Sequence, residues 1–116
     1  MGENRIKLVA ADMDGTLLNR ERKITKYTQN VIKKAMAQGV YFVPATGRAV
    51  NALPPELKEM EGIRYGIFSN GATIYDLKEE KVIYKNHFEM DRVLELMDFL
   101  KQFDLMESIS LNGQSY

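Results

Sequence analysis

Asp12 and Asp14 stand two residues apart, directly after the apolar run Ile6-Lys7-Leu8-Val9-Ala10-Ala11 and before Gly15-Thr16-Leu17-Leu18. On a straight strand positions i and i+2 share one face. Beyond the strand's end Gly15 lets the backbone turn, so the two acids can take different roles. One carboxylate can attack a phosphoester to form an acyl phosphate while the other protonates the leaving oxygen and then activates water, which splits hydrolysis into two in-line steps. Asp12 is the expected nucleophile and Asp14 the expected acid/base. Two unit charges about 4 Å apart repel by roughly 1 kcal/mol in water and about 4 kcal/mol at an effective dielectric near 20, so carboxylates facing a phosphate dianion need a cation. Mg²⁺ suits the task, because it takes hard oxygen ligands, keeps several waters and can clamp a phosphoryl oxygen.

These acids need a strand behind them, and the following chain supplies the rest of an α/β frame. Thr25 is placed to cap a helix running to about Gln38, with Val31, Ile32, Ala35 and Met36 on its inner face and Gly39 as its stop. Val40-Tyr41-Phe42-Val43 is a second strand that ends at Pro44-Ala45-Thr46-Gly47-Arg48. Residues 49 to 61 read as a helix that Pro54-Pro55 must kink or restart, closed by Gly62. A third strand from Tyr65 to Ser69 delivers Asn70-Gly71-Ala72. Alternation of this kind predicts parallel βαβ units whose polar loops gather outside the carboxyl ends of the strands, where α/β sheets bind ligands. Thr73 to Asp76 and Lys81 to Lys85 then read as a hairpin, and Met90 to Phe103 as an amphipathic helix with Val93, Leu96, Met97, Leu100 and Phe103 inward. Ser108 to Leu111 alternates as a strand and runs into the turn signal Asn112-Gly113, with the returning strand cut off after Tyr116.

Composition narrows the function. Sixteen basic and sixteen acidic residues balance, with no basic stripe, so nothing points to nucleic acid or an anionic membrane. The 116 residues suffice for one core. The absence of Cys excludes disulfides and thiolate chemistry, and six apolar residues near the N-terminus are too few for a span. The expected setting is cytoplasmic and the expected partner a small molecule.

Asp12-Met13-Asp14-Gly15-Thr16-Leu17-Leu18 resembles the first signature of the haloacid dehalogenase superfamily. Thr46-Gly47-Arg48 and Ser69-Asn70-Gly71-Ala72, in this order, are similar to its Cof-type sugar-phosphatase branch. The resemblance implies a Rossmann-like parallel sheet, truncated, with a hairpin and the start of an α/β cap. It divides the chain into residues 1–86, the N-terminal half of the core with the hairpin at 73–85, and residues 87–116, the beginning of an incomplete cap. It makes Asp12 both nucleophile and Mg²⁺ ligand, and Asp14 the acid/base with its backbone carbonyl on the metal. The Thr46 hydroxyl becomes a phosphoryl donor, and Gly47, Arg48 and Asn70 line the phosphate or substrate side. A phosphate-holding Lys and a Gly-Asp-x-x-x-Asp-like loop, which the family places later, have no match here. The implied activity is Mg²⁺-dependent hydrolysis of a small phosphorylated metabolite such as a sugar phosphate, slow or absent in this chain alone. In the family the first strand is central, as its apolar run suggests. Lying at an edge it becomes a template for self-association, domain swapping or a complementing partner.

Two other classes compete. A non-catalytic phosphate-binding fragment would keep the pocket without turnover. A receiver-like phosphoacceptor module would carry its acceptor Asp on a later strand, and here no Asp ends the second or third. His87 reads as a surface or packing residue, Lys78-Glu79-Glu80-Lys81 as a solvated turn, and the seven Met as packing.

Overall fold

The computed structural model describes residues 4–111 and 114–115. Strands β1 (Leu8–Asp12), β2 (Tyr41–Ala45), β3 (Tyr65–Phe68), β4 (Thr73–Asp76) and β5 (Lys81–Lys85) form one sheet in that order. β1 and β3 both pair parallel with β2, whereas β4 runs antiparallel to β3 and β5 antiparallel to β4. The hairpin therefore extends the same sheet and makes it mixed. Pro44 lies inside β2 rather than after it. The Thr46 N–H donates to the Ile67 carbonyl, so alternate residues of β2 turn toward β3, and Pro44 has no N–H to offer there. The β2–β3 ladder is correspondingly short, with the single register pair Ala45 and Ile67.

Helix α1 (Lys26–Ala37) begins at Thr25, whose hydroxyl accepts the Thr28 N–H at 3.2 Å. It buries Ile32 and half-buries Ala35 and Met36, but Val31, expected inward, is exposed. The second crossover is not one helix. A single turn at Val50–Ala52 is followed by the short helix α2 (Pro55–Lys58), because the two prolines interrupt the hydrogen-bond ladder and Pro55 starts a new first turn. Leu53, Leu57, Met60 and Ile63 from this crossover join Met13, Leu18, Ile24, Ile32, Phe42 and Phe68 in one core.

No residue from Leu77 to Ile109 is buried. Asp76 closes the compact part: its carboxylate, 2% exposed, accepts the N–H groups of Lys78 and Glu79 at 3.0 Å each and a fork from Arg64 at 3.1 Å. Beyond it, helix α3 (Met90–Leu100) half-buries Val93, Met97 and Leu100, while Leu96 and the following Phe103 are exposed against expectation. The helix is also shorter than the apolar pattern, ending before Phe103. β6 (Ser110–Leu111) pairs with β7 (Gln114–Ser115), so a short returning strand is present; the predicted turn residues Asn112 and Gly113 lie outside the described residues. The radius of gyration is 17.0 Å, against about 13 Å expected for a compact domain of this length. At the opposite side β1 is the free edge of the sheet, with Leu8 53% and Val9 37% exposed.

Candidate active site

The carboxyl ends of β1, β2 and β3 deliver three loops to one edge. Asp12 is the last residue of β1, paired in register with Ala45 of β2. After it the chain makes one wide turn, closed by the Leu18 N–H on the Met13 carbonyl at 2.9 Å. Asp14 there is extended and Gly15 sits at φ +75°, the conformation that lets the turn reverse. Met13 is fully buried and anchors the loop, so both carboxylates are exposed on the same segment. The Thr16 hydroxyl approaches Asp12 Oδ2 at 3.5 Å, and among the described residues Asp12 has no ion pair.

The second and third loops interlock. Thr46 is buried, and its hydroxyl accepts the Arg48 N–H at 3.1 Å. The Asn70 N–H donates to the Thr46 carbonyl at 3.1 Å, and the Ser69 N–H to the Arg48 carbonyl at 2.9 Å. Ser69, Asn70 and Gly71 are all left-handed, at φ 50°, 56° and 93°. That conformation is unfavourable for residues with a Cβ and is held here by the cross-loop hydrogen bonds. Gly47 allows the close approach: a Cβ on it would lie 2.8 Å from Asn70 Oδ1.

Arg48 was expected on the phosphate side, yet its guanidinium forks onto Asp14. Nε donates to Oδ2 at 2.8 Å and a terminal nitrogen to Oδ1. This pairing, with a smaller contribution from Arg22, holds the Asp14 carboxyl below the usual carboxylate range. The six residues singled out from sequence, Asp12, Asp14, Thr46, Gly47, Arg48 and Asn70, thus lie on three adjacent loops, and Arg48 links the first to the second. The sequence reading missed Arg20 and Arg22, which share a cleft with Asp14 and Arg48. Their signal was present in the charged stretch Asn19-Arg20-Glu21-Arg22-Lys23.

A sequence model of haloacid dehalogenase-like hydrolases matches residues 9–116, which takes in all three loops. The chain belongs to this family. Among its relatives, 5-amino-6-(5-phospho-D-ribitylamino)uracil phosphatase of Bacillus subtilis is 37% identical over 89 residues, covering 73% of this chain and 36% of that enzyme. A phosphatase of the haloalkanoate dehalogenase superfamily from Bacteroides thetaiotaomicron superimposes with a TM-score of 0.78 at 29% identity, over 98% of this chain and 42% of its own. A sugar phosphatase of the superfamily's subclass IIB superimposes with a TM-score of 0.67 at 33% identity, over 83% of this chain and 37% of its own. The chain spans 29% to 40% of the length of the curated relatives it matches. The hydrolase fold they share is the mixed sheet described above, and no described helix is long and apolar enough to cross a membrane.

Proposed function

We propose that this chain is the N-terminal part of a phosphoric monoester hydrolase acting on small phosphorylated metabolites, with Asp12 as nucleophile and Asp14 as acid/base. The observation that carries the reading is the meeting of Asp12, Asp14, Thr46 and the left-handed turn at residues 69–71 at one sheet edge, with Arg48 as the cation between them. An Asp12 oxygen attacks phosphorus in line, the bond from phosphorus to the ester oxygen breaks, and the departing oxygen takes a proton from Asp14. Asp14, now a carboxylate, accepts a proton from water as that water attacks the aspartyl phosphate, which releases phosphate and restores Asp12. The Thr46 hydroxyl, Asn70 and Arg48 orient the phosphoryl oxygens. Residues 1–86 form the core half of this machinery and residues 87–116 open a cap.

Asp12 and the Asp14 backbone carbonyl are hard oxygen donors of the kind Mg²⁺ accepts, and this ion is content with one or two carboxylates plus waters and phosphate. Among the described residues no third acidic or histidine side chain joins them. Bound there, Mg²⁺ would neutralise charge between carboxylate and phosphate.

Asp14 must be protonated to serve as acid, and its pairing with Arg48 opposes that. A phosphate dianion competes for the same guanidinium, and Arg48 drawn toward the phosphate leaves Asp14 free to take up a proton. The tie also favours a second reading, a chain that holds phosphate without turnover. Incubation with Mg²⁺ and an aryl phosphate, followed by acid quench and intact mass, tests the two. One added phosphoryl group in the wild type and none in Asp12→Asn supports the hydrolase. A phosphoryl adduct that persists in Asp12→Asn overturns the nucleophile assignment, and no adduct in either protein favours the chain that holds phosphate without turnover.

A further inference from the structure

A cleft of about 620 Å³ opens beside Asp14 and is lined also by Gly15, Leu18, Asn19, Arg20, Arg22 and Arg48. Three arginines and one carboxylate share this cleft, and Arg48 is already committed to that carboxylate. Among the described residues no acid pairs with Arg20 or Arg22. Glu21, between them in sequence, does not line the cleft. The loop that presents them is tightly bonded. Asn19 Oδ1 accepts the N–H groups of Glu21 and Lys23 at 3.0 Å each, the Arg22 N–H donates to the Asn19 carbonyl at 2.9 Å, and the Asn19 N–H to the Lys23 carbonyl at 2.9 Å. Arg22 takes a left-handed φ of 58°, an unfavourable choice for an arginine, which the Asn19 bonds hold in place.

We propose that Arg20 and Arg22 form a second anion subsite that binds a phosphoryl or carboxylate group on the leaving-group portion of the substrate. The inference rests on the phosphatase reading. Asp14 is the group that hands a proton to the departing oxygen, so the leaving group lies beside Asp14, and the arginine-lined cleft begins at that side chain. A guanidinium presents paired donors in a plane that matches either anion. Substrates with a second anionic group, such as sugar bisphosphates or phosphorylated sugar acids, are therefore preferred to their singly charged counterparts.

Calorimetric titration of the purified chain with a hexose 6-phosphate, a hexose 1,6-bisphosphate and 6-phosphogluconate tests this. The doubly anionic ligands are expected to bind about tenfold more tightly than the monophosphate at low ionic strength. In R20Q/R22Q that ratio falls to about one, while the charge-matched control K33Q/K34Q on α1 retains it, with circular dichroism confirming that both variants fold. Preference for the bisphosphate alone assigns the subsite to a phosphoryl group, and preference for both ligands to either anion. Equal affinity for all three in the wild type overturns the subsite and leaves the phosphate site standing, as does a preference that survives in R20Q/R22Q or disappears in K33Q/K34Q. No binding of any of the three overturns the phosphate reading and the subsite with it.

Discussion

Gly47→Ala and Gly66→Ala add the same methyl group to two strand or loop glycines, and the structure predicts opposite consequences. At Gly47 the new Cβ meets Asn70 Oδ1 at 2.8 Å, with the next nearest atoms, also of Asn70, at 3.4 Å. Relaxing that contact to an ordinary separation of about 3.5 Å requires a shift of roughly 0.7 Å. Asn70 is exposed, so its carboxamide can swing aside, and the fold loses about 0.5 kcal/mol or less. The displaced group is one proposed to face phosphate, and misplacement of a positioning group by about 1 Å can cost on the order of a hundredfold in reactivity. A loss of roughly tenfold in phosphate affinity, about 1.4 kcal/mol, is the corresponding expectation. At Gly66 the Cβ would sit 2.5 Å from Phe68 Cε2 and 2.6 Å from its Cζ, against a ring that is fully buried and packed edge-on to Tyr75. That ring cannot give, and overpacking of this kind costs roughly 1–3 kcal/mol. Thermal melts and a phosphate titration followed on the Asn70 side-chain amide read both effects. The reasoning fails if Gly47→Ala binds phosphate as the wild type does, or if it melts as low as Gly66→Ala.

Other consequences are open to direct measurement. Because Arg48 lowers the Asp14 pKa, the tie is complete above the ordinary carboxylate range and is lost as pH falls through the depressed value; Arg48→Gln should move the Asp14 titration upward, read by carboxyl ¹³C shifts. Asp76 is held low chiefly by the Glu79 N–H, with Arg64 and the Lys78 N–H adding to it, so its contribution to stability is present above about pH 4 and lost below it. Asp76→Asn should lower the melting temperature at neutral pH and flatten its decline in acid. The free edge of β1, with exposed Leu8 and Val9, should drive concentration-dependent association that Leu8→Lys weakens, visible by sedimentation; a strict monomer at high concentration would contradict it.

Legibility followed local chemistry. The α1 cap at Thr25, the hairpin at 73–76 and 81–85, and the loops after β1, β2 and β3 were all readable, because short-range residue types dictate them. Sequence could not show that β4 would continue the parallel unit as an antiparallel neighbour of β3, since strand pairing depends on tertiary contacts. Val31, Leu96 and Phe103 fit the apolar stripe and yet lie exposed, for periodicity identifies a face without saying whether anything covers it. The six residues proposed for the site were visible as motif positions, but the partner of Arg48 was not. A guanidinium near two loops can reach either a bound phosphate or Asp14, and only coordinates show the second. Arg20 and Arg22 were overlooked because a charged run after a motif reads as a solvated turn until its backbone bonds to Asn19 are seen.

The strand that carries Asp12 is also an edge strand of the sheet, and the two facts bear on each other. The Tyr41 N–H donates to the Lys7 carbonyl. In a parallel pair successive residues turn their backbone groups to opposite sides. The polar groups of Leu8, Ala10 and Asp12 therefore point away from β2, along the uncovered edge. Asp12 is fixed from one side, through its register with Ala45, and by the buried Met13 that follows it. The second loop differs: Thr46 and Arg48 are bonded to β3 and to the turn at residues 69–71, which is braced in turn by buried Phe68. The groups proposed to orient phosphate thus sit on the rigid side of the site and the proposed nucleophile on the yielding side. Any strand that pairs with β1 would tighten Asp12 without touching the ligand, and hydrogen exchange of the Leu8, Ala10 and Asp12 amides, fast when the edge is open and slow when it is covered, would report that coupling before any change in the loops at Thr46 or Asn70.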